Sequence, residues 1–291
     1  MGKTELALQW ALEKNAEIVS CDSLLVYQGM NIGTAKPTSA QLRRVPHHMI
    51  DVVAVDQRFS VKAYVDAAKE AVASIFARDK QVLVTGGSGF YLKAFFAPVV
   101  DSIAAPPKIV DEVAYIAETA GLAGLLHKLA ELNPAGLGEL DVQNPRRVTK
   151  ALERCLASKR TLLELKAEFA QQVSPFAHYE KRVCLLHRSP ERLWRRICER
   201  VEAMFAAGLL DEVRGLLQAG IERNPSAAAA IGYCETIDFI KKGDTDLDAL
   251  KERIAINTRR LVAKQRKGFR NHLQTEQICD LDCAESPTLF I

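Results

Sequence analysis

The sequence predicts an α/β protein: a parallel sheet flanked by helices, with a mostly helical segment inserted into it. Two patterns carry that expectation. Over roughly the first hundred residues, short apolar runs of strand length alternate with helical ones, which places helices on the faces of a parallel sheet. From about residue 104 the strand signals stop, and helical patterns follow one another to about 180. The composition fits a globular chain. Of 291 residues, 48% are hydrophobic and 26% charged, enough to build a substantial core.

Taken in order, residues 3–14 read as a helix and "EIVSCDS" (17–23) as a short buried strand. "MIDVV" (49–53) reads as a second strand and 60–78 as a helix. "QVLVTGG" (81–87) is a third strand that ends in glycines before another helix. "IAAPPK" (103–108) marks a break, followed by the helical patterns "VDEVAYIAETAG", "LAGLLHKLAELN" and "PRRVTKALERCLASKR". "KRVCLLH" (181–187) returns to a strand, and the chain then stays helical up to a long basic helix at about 246–270. The expected division is therefore 1–103 and 181–291 as two parts of one core, with 104–180 as a helical insertion. In such sheets ligands bind beyond the carboxyl ends of the strands, where "DSLLVY" and "GGSGFY" fall.

Several function classes drop out. The longest apolar run, "VLVTGGSGFYL", is broken by glycines and too short to span a bilayer, so no membrane association is expected. No basic stretch followed by an apolar one precedes the first helix, so no export signal is read. The seven cysteines are odd in number and scattered, as reduced cytoplasmic thiols are. Cys279 and Cys283 are spaced C-x-x-x-C with no His or Cys after them, and no metal site is expected there. The formal net charge is only +3, yet from Lys251 to His272 eight Lys or Arg residues face a single acid, Glu252. Such a stripe suits a polyanion, and a solvated helix face explains it equally well.

The opening "MGKTELALQW" places Gly2, Lys3 and Thr4 at a helix start. Backbone N–H groups there attract anions, Lys3 can reach phosphate oxygens, and Thr4 can hold a magnesium ion. This is how a phosphate-binding P-loop ends, and an ordinary helix can also begin Gly-Lys-Thr. Asp22 and Ser23 follow the first strand. A carboxylate there suits a general base, or the commoner duty of capping a turn. "TGGSGFY" lets backbone approach a ligand closely and offers the Ser88 hydroxyl. Arg192, Arg196 and Arg200 recur every four residues on one helix face, suited to a diphosphate, a nucleic-acid backbone or nearby glutamates. His47 and His48 point apart, which favours packing or turn roles over a shared metal.

The order of these pieces is more specific than any one of them. "GKTELA", "DSLLVYQGMNIGTAKPT", "HHMIDV", "GGSGFYLKA", "NPRRVTKALE", "AIGY" and "TRRLVAKQRKGFR" together resemble the bacterial tRNA dimethylallyltransferases, also called tRNA isopentenyltransferases. The resemblance covers nearly the whole chain. It implies a P-loop NTPase-like core whose helical insertion helps to clasp the anticodon stem-loop. It implies transfer of a dimethylallyl group from dimethylallyl diphosphate to N6 of the adenosine 3′-adjacent to the anticodon. The P-loop of such enzymes holds the diphosphate leaving group.

Carried over residue by residue, the resemblance makes Asp22 the base that takes the amine proton. It sets Gly2, Lys3, Thr4 through Mg2+, and Arg196 on the diphosphate, and counts Ser88 and Arg196 with Asp22 as catalytic, the Ser88 hydroxyl bonding to the phosphates or the ribose-phosphate backbone. It places Asp22, Ser23, Arg146, Arg147, Arg259, Lys264, Lys267 and Arg270 towards tRNA. A monomer is expected. Three departures stand out. Family members begin with a strand and a full glycine-rich loop, so the first strand and the front of the P-loop are expected to be missing ahead of "MGKT". Gly268 stands where a Trp is usual, and Ser88 where Thr is common. The alternatives are a non-catalytic tRNA-binding relative with a broken P-loop and, with less support, a P-loop kinase of a small molecule.

Overall fold

The computed structural model describes residues 2–101, 103–272, 275–282 and 289–290, without the side chains of 270–272. Its contacts divide the chain into two compact units, residues 1–97 with 175–291, and residues 98–174. The smaller unit holds the helices from Pro107 to Ala170, which fall within the 104–180 read from the sequence.

In the larger unit, helix α1 (Lys3–Glu13) buries Leu6, Ala7, Leu8 and Ala11 and leads into strand β1 (Ala16–Cys21), which is buried throughout. β1 lies between β2 (His47–His48) and β3 (Gln81–Gly86), with both pairings parallel. A strand covered on both faces should be apolar along its length. The exceptions in β1 are Glu17 and Ser20, both buried. Glu17 is held by His48 Nε2 at 2.7 Å, Arg78 at 2.6 Å and Lys80 at 2.9 Å, which ties β1 to β2 and to the entry of β3. Burial alone would push the Glu17 carboxyl up, but hydrogen bonds from His48, Lys80 and Arg78 outweigh it and hold the pKa near 2.

The second strand falls earlier than the expected 49–53. His47 and His48 pair with Ile18 and Val19. Met49 and Asp51 then turn into the left-handed region, at φ 64 and 54, which is incompatible with a strand. Asp51 and Val52 donate their backbone N–H groups to Leu25 O at 3.0 Å and Val26 O at 2.8 Å. Only Val53 keeps a strand-like bridge, to Tyr27.

Helix α2 (Ser39–Arg44) starts on a capping box formed by Thr38 and Gln41. Helix α3 (Val61–Phe76) starts on Ser60, whose Oγ accepts from Ala63 N at 3.1 Å, and it buries Tyr64, Ala68, Val72 and Ile75 on one face. β3 ends at Gly86 and Gly87, and helix α4 (Gly89–Lys93) follows. Gly86 is fixed by close approach, since a Cβ there would meet the Cys21 carbonyl oxygen at 2.1 Å.

The unit 98–174 is helical. It contains α5 (Pro107–Glu131), kinked at Gly121 where φ is 60, then α6 (Pro145–Ser158) and α7 (Leu162–Ala170). The kink separates the two helical patterns read in that stretch. Val113, Leu125, Leu129, Val148 and Leu152 form its core. Buried Asn133 links its elements, donating to Leu129 O at 2.7 Å and accepting from Leu162 N at 2.6 Å.

The larger unit resumes with β4 (Cys184–His187), which pairs in parallel with β5 (Gln277–Asp280), a strand not anticipated from the sequence. Between them lie α8 (Pro190–Ala206), α9 (Leu209–Gln218), α10 (Pro225–Ala228), α11 (Tyr233–Lys242) and α12 (Leu247–His272). Leu193, Ile197, Val201, Val213, Tyr233 and Ile254 from these helices enclose Val26, Tyr27 and Met30 of the segment after β1. That segment is thereby fixed beside the carboxyl ends of β1 and β3. Cys283, the second member of the C-x-x-x-C pair, lies outside the described residues.

Candidate active site

A cavity of about 390 Å3 opens at the carboxyl ends of β1 and β3. Lys3 and Thr4 reach it from the first turn of α1, and Asp22 from the residue after β1. Arg196 and Arg200 come from adjacent turns of α8. Gly2 sets this up from outside the lining. Its φ of 93, accessible to glycine, lets the chain turn so that α1 begins at Lys3.

The charges here are coupled. Burial lowers the pKa of Lys3, the Asp22 carboxylate pulls it back up, and Arg200 pushes it down. Arg200 is likewise lowered by burial and raised by Asp22, and its guanidinium stays charged. Two carboxylates, Asp22 and Glu199, thus share the cavity with three cations, Lys3, Arg196 and Arg200, an environment suited to an anionic ligand. Asp22 is oriented by its own turn, with Oδ1 accepting from Leu24 N at 3.0 Å. Ser20 Oγ is buried in the lining without a hydrogen-bond partner among the described residues. His47 contacts the Val45 carbonyl through Nδ1 at 2.7 Å, so the ring carries its proton there and offers a lone pair at Nε2. Burial is the main cause that lowers its pKa; the Val45 bond works against it, and the neighbouring His48 adds to the lowering.

One wall of the cavity is the loop "NIGTAKP". The Glu212 carboxylate accepts the backbone N–H groups of Asn31 at 3.0 Å, Ile32 at 2.8 Å and Gly33 at 3.3 Å, and the Tyr233 hydroxyl at 2.7 Å. Gly33 has to be glycine, because a Cβ there would meet the Tyr233 ring at 2.5 Å. Arg200 adds a bond to Thr34 O at 3.2 Å, so the same guanidinium lines the cavity and braces its wall.

Comparison with known proteins decides the family. The sequence pattern described as IPP transferase matches residues 25–272. The chain belongs to the IPP transferase family. Among curated relatives of this IPP transferase, the tRNA dimethylallyltransferase of Opitutus terrae is 53% identical over 280 residues, 96% of this chain and 90% of that one. The tRNA dimethylallyltransferase of Chloroflexus aurantiacus is 37% identical, over 93% of this chain and 89% of its own. Among solved structures, a tRNA delta(2)-isopentenylpyrophosphate transferase of Staphylococcus epidermidis aligns with a TM-score of 0.65 and 29% identity, covering 96% of this chain and 89% of that one. A eukaryotic dimethylallyltransferase acting on tRNA shares the fold, with a TM-score of 0.80 at 22% identity. These neighbours carry the P-loop NTPase-like α/β fold that the sequence predicts.

Within this IPP transferase the cavity gathers Lys3, Thr4, Asp22 and Arg196 in one lining. Ser88 does not line it. That residue starts α4, donates its N–H to Cys21 O at 3.1 Å, and follows Gly86, which does line the cavity. Ser23 is exposed in the turn after Asp22. The arginine face of α8 splits its duties: Arg196 and Arg200 serve the cavity, while Arg192 bonds to Asp282 O at 3.0 Å.

Of the residues expected at tRNA, Arg259, Lys264 and Lys267 are exposed on α12, and Arg259 stacks over Trp194 at 4.9 Å. The Arg270 side chain lies outside the described residues. Arg146 and Arg147 are exposed at the start of α6 in the helical unit. A Cβ added at Gly268 would meet nothing within 4 Å among the described residues. Sequence reading did not single out Leu25, Thr34, Ile50 or Thr85, which reach the cavity through tertiary folding. Arg200 carried a signal of its own, the four-residue spacing from Arg196.

Proposed function

We infer that this IPP transferase prenylates tRNA, moving a dimethylallyl group from dimethylallyl diphosphate to N6 of the adenosine 3′-adjacent to the anticodon. The observation that carries the reading is the meeting of two carboxylates, Asp22 and Glu199, with Lys3, Arg196 and Arg200 in a single cavity. That combination serves both halves of a prenyl transfer. The exocyclic amine of adenine is a weak nucleophile, because its lone pair is delocalised into the ring. As N6 attacks C1 of the prenyl group, Asp22 takes its proton. The N6–C1 bond forms, the C1–O bond breaks, and diphosphate leaves with the electron pair. Lys3, Arg196 and Arg200 stabilise the charge that grows on the leaving group.

A magnesium ion fits this donor set in a limited way. Thr4 offers one hydroxyl, and the described residues hold no cluster of three or more metal-ligating side chains. Magnesium commonly keeps waters and substrate phosphates as most of its ligands. Thr4 would hold such an ion against the diphosphate, where it would neutralise charge on the leaving group.

The adenosine has to leave its stack to reach Asp22, and the basic residues of α12 supply backbone contacts that offset that cost. Ser23 stands next to the base, and Ser88 supports the turn beside it. Arg146 and Arg147 add contacts from the helical unit, which we assign to clasping the anticodon stem-loop. The protein acts as a cytoplasmic monomer. No helix of the described residues is long and apolar enough to cross a membrane.

The test combines unmodified tRNA, magnesium and labelled dimethylallyl diphosphate with the purified chain. Label on the adenosine beside the anticodon is the expected result. Binding of tRNA without transfer would favour the non-catalytic relative, and phosphate transfer from ATP to a small molecule would favour the kinase.

A further inference from the structure

The lining of the cavity is not uniform. Besides its charged and polar residues it presents Ala7, Ile18, Leu25, Ala35, Pro37 and Ile50, of which Ala7 and Ile18 are buried. Ala35 and Pro37 also face a neighbouring groove along α2 and α8, whereas Leu25 and Ile50 line the cavity alone. Both are only half-buried, so their apolar faces are exposed to the cavity and to whatever fills it. Ile50 is held by an unusual backbone. The residues on either side of it, Met49 and Asp51, have φ of 64 and 54, a conformation that costs L-residues energy and persists only where its surroundings enforce it.

The surroundings do enforce it. Asp51 N donates to Leu25 O at 3.0 Å, which sets Ile50 beside Leu25. Gln28 Nε2 donates to Asp51 O at 3.2 Å. Lys36, next to Pro37, bridges the Asp51 carboxylate and Tyr27 O. Met49 is anchored in the core. The result is an apolar wall clamped from both sides, which excludes by shape where a loose wall would yield.

We propose that Leu25 and Ile50 are the specificity-determining residues that limit the transferred group to five carbons, as the half-buried apolar side chains that line the cavity and not the neighbouring groove. This rests on the reading of the cavity as the prenyl diphosphate site. Truncating both residues to Ala removes about six side-chain carbons, against the five of one isoprene unit. A geranyl group then has room, and its transfer follows the same balance: N6–C1 forms, C1–O breaks, and the proton goes to Asp22.

The experiment runs the full chain with unmodified tRNA, offering dimethylallyl and geranyl diphosphate separately and in competition. The prenylated nucleoside is read by mass. The unaltered chain is expected to use dimethylallyl diphosphate and discriminate against geranyl diphosphate. In Leu25→Ala/Ile50→Ala the ratio of kcat/KM for geranyl over dimethylallyl should rise at least ~10-fold, the scale on which a hydrophobic pocket sorts substrates by size. Ile50→Phe should lower dimethylallyl kcat/KM by ~10-fold, with tRNA affinity unchanged. Ile50→Val gives a graded step if the double variant folds poorly, as judged by tRNA binding. Ratios within ~2-fold of the unaltered chain across the folded variants would overturn the gauge alone. An unaltered chain inert with dimethylallyl diphosphate would overturn the gauge together with the function it rests on.

Discussion

Asp22 and Lys3 show how a few residues set the chemistry. Asp22 is held by a bond from Leu24 N to one of its oxygens, which aims the carboxylate. Asp22→Asn keeps the shape and removes the base. It should cut transfer by ~100-fold or more in single turnover and leave tRNA affinity unchanged in a gel shift. An undiminished rate would move the base elsewhere. Lys3 makes a pH prediction. Its pKa is lowered by burial, so it is charged well below that value and neutral above it. Donor affinity should therefore fall with rising pH earlier than an ordinary lysine would allow. Lys3→Arg, charged throughout, should flatten that limb in a titration of dimethylallyl diphosphate binding. Both residues were legible in the sequence because their signals are local, one at a strand end and one at a helix start. Leu25 and Ile50 were not legible, since what turns them to the cavity is a pair of left-handed residues and bonds made across the fold.

Among the elements, the loop "NIGTAKP" and the second strand show where sequence patterns run out. The run "MIDVV" is apolar enough for a strand, yet the N–H groups of Asp51 and Val52 go to Leu25 and Val26 and the extended conformation is lost. Periodicity reports burial, and it is silent on which partner takes the backbone bonds. The loop has no regular structure and is ordered by Glu212, far along the chain. Glu212→Ala strips the acceptor from the N–H groups of Asn31, Ile32 and Gly33 and from Tyr233. It should cost about 1–3 kcal/mol in chemical denaturation and raise KM for dimethylallyl diphosphate more than KM for tRNA. Equal KM values in a destabilised variant would show that the loop does not shape the donor site. Glu17 makes the matching prediction for the sheet. Its lowered pKa contributes stability in full above the ordinary carboxylate range and loses it as pH falls towards about 2. Since Arg78 is 45% exposed, the effect is discounted to on the order of 1–2 kcal/mol, and Glu17→Gln should flatten the acid limb of stability against pH.

For the whole molecule, the relevant quantity is charge spread along α12 rather than the net +3. A nearly neutral protein gains little from overall attraction to tRNA, so its affinity has to come from local phosphate contacts, and those are salt-dependent. Among the described residues, Lys264 and Lys267 form no ion pair and are free to meet phosphates. Arg259 is exposed and stacks over Trp194, which helps to fix its position. Arg223, by contrast, is exposed but already paired with Asp56 at 2.9 Å. Replacing Lys264, Lys267 or Arg259 with Ala should weaken tRNA binding and shallow the slope of log affinity against log salt by about one unit each, whereas Arg223→Ala should leave the slope alone. The contrast separates contact from general electrostatics. If all four variants shift the slope alike, the basic helix acts only through its field; if α12 variants alone shift it, the helix lies on the tRNA backbone.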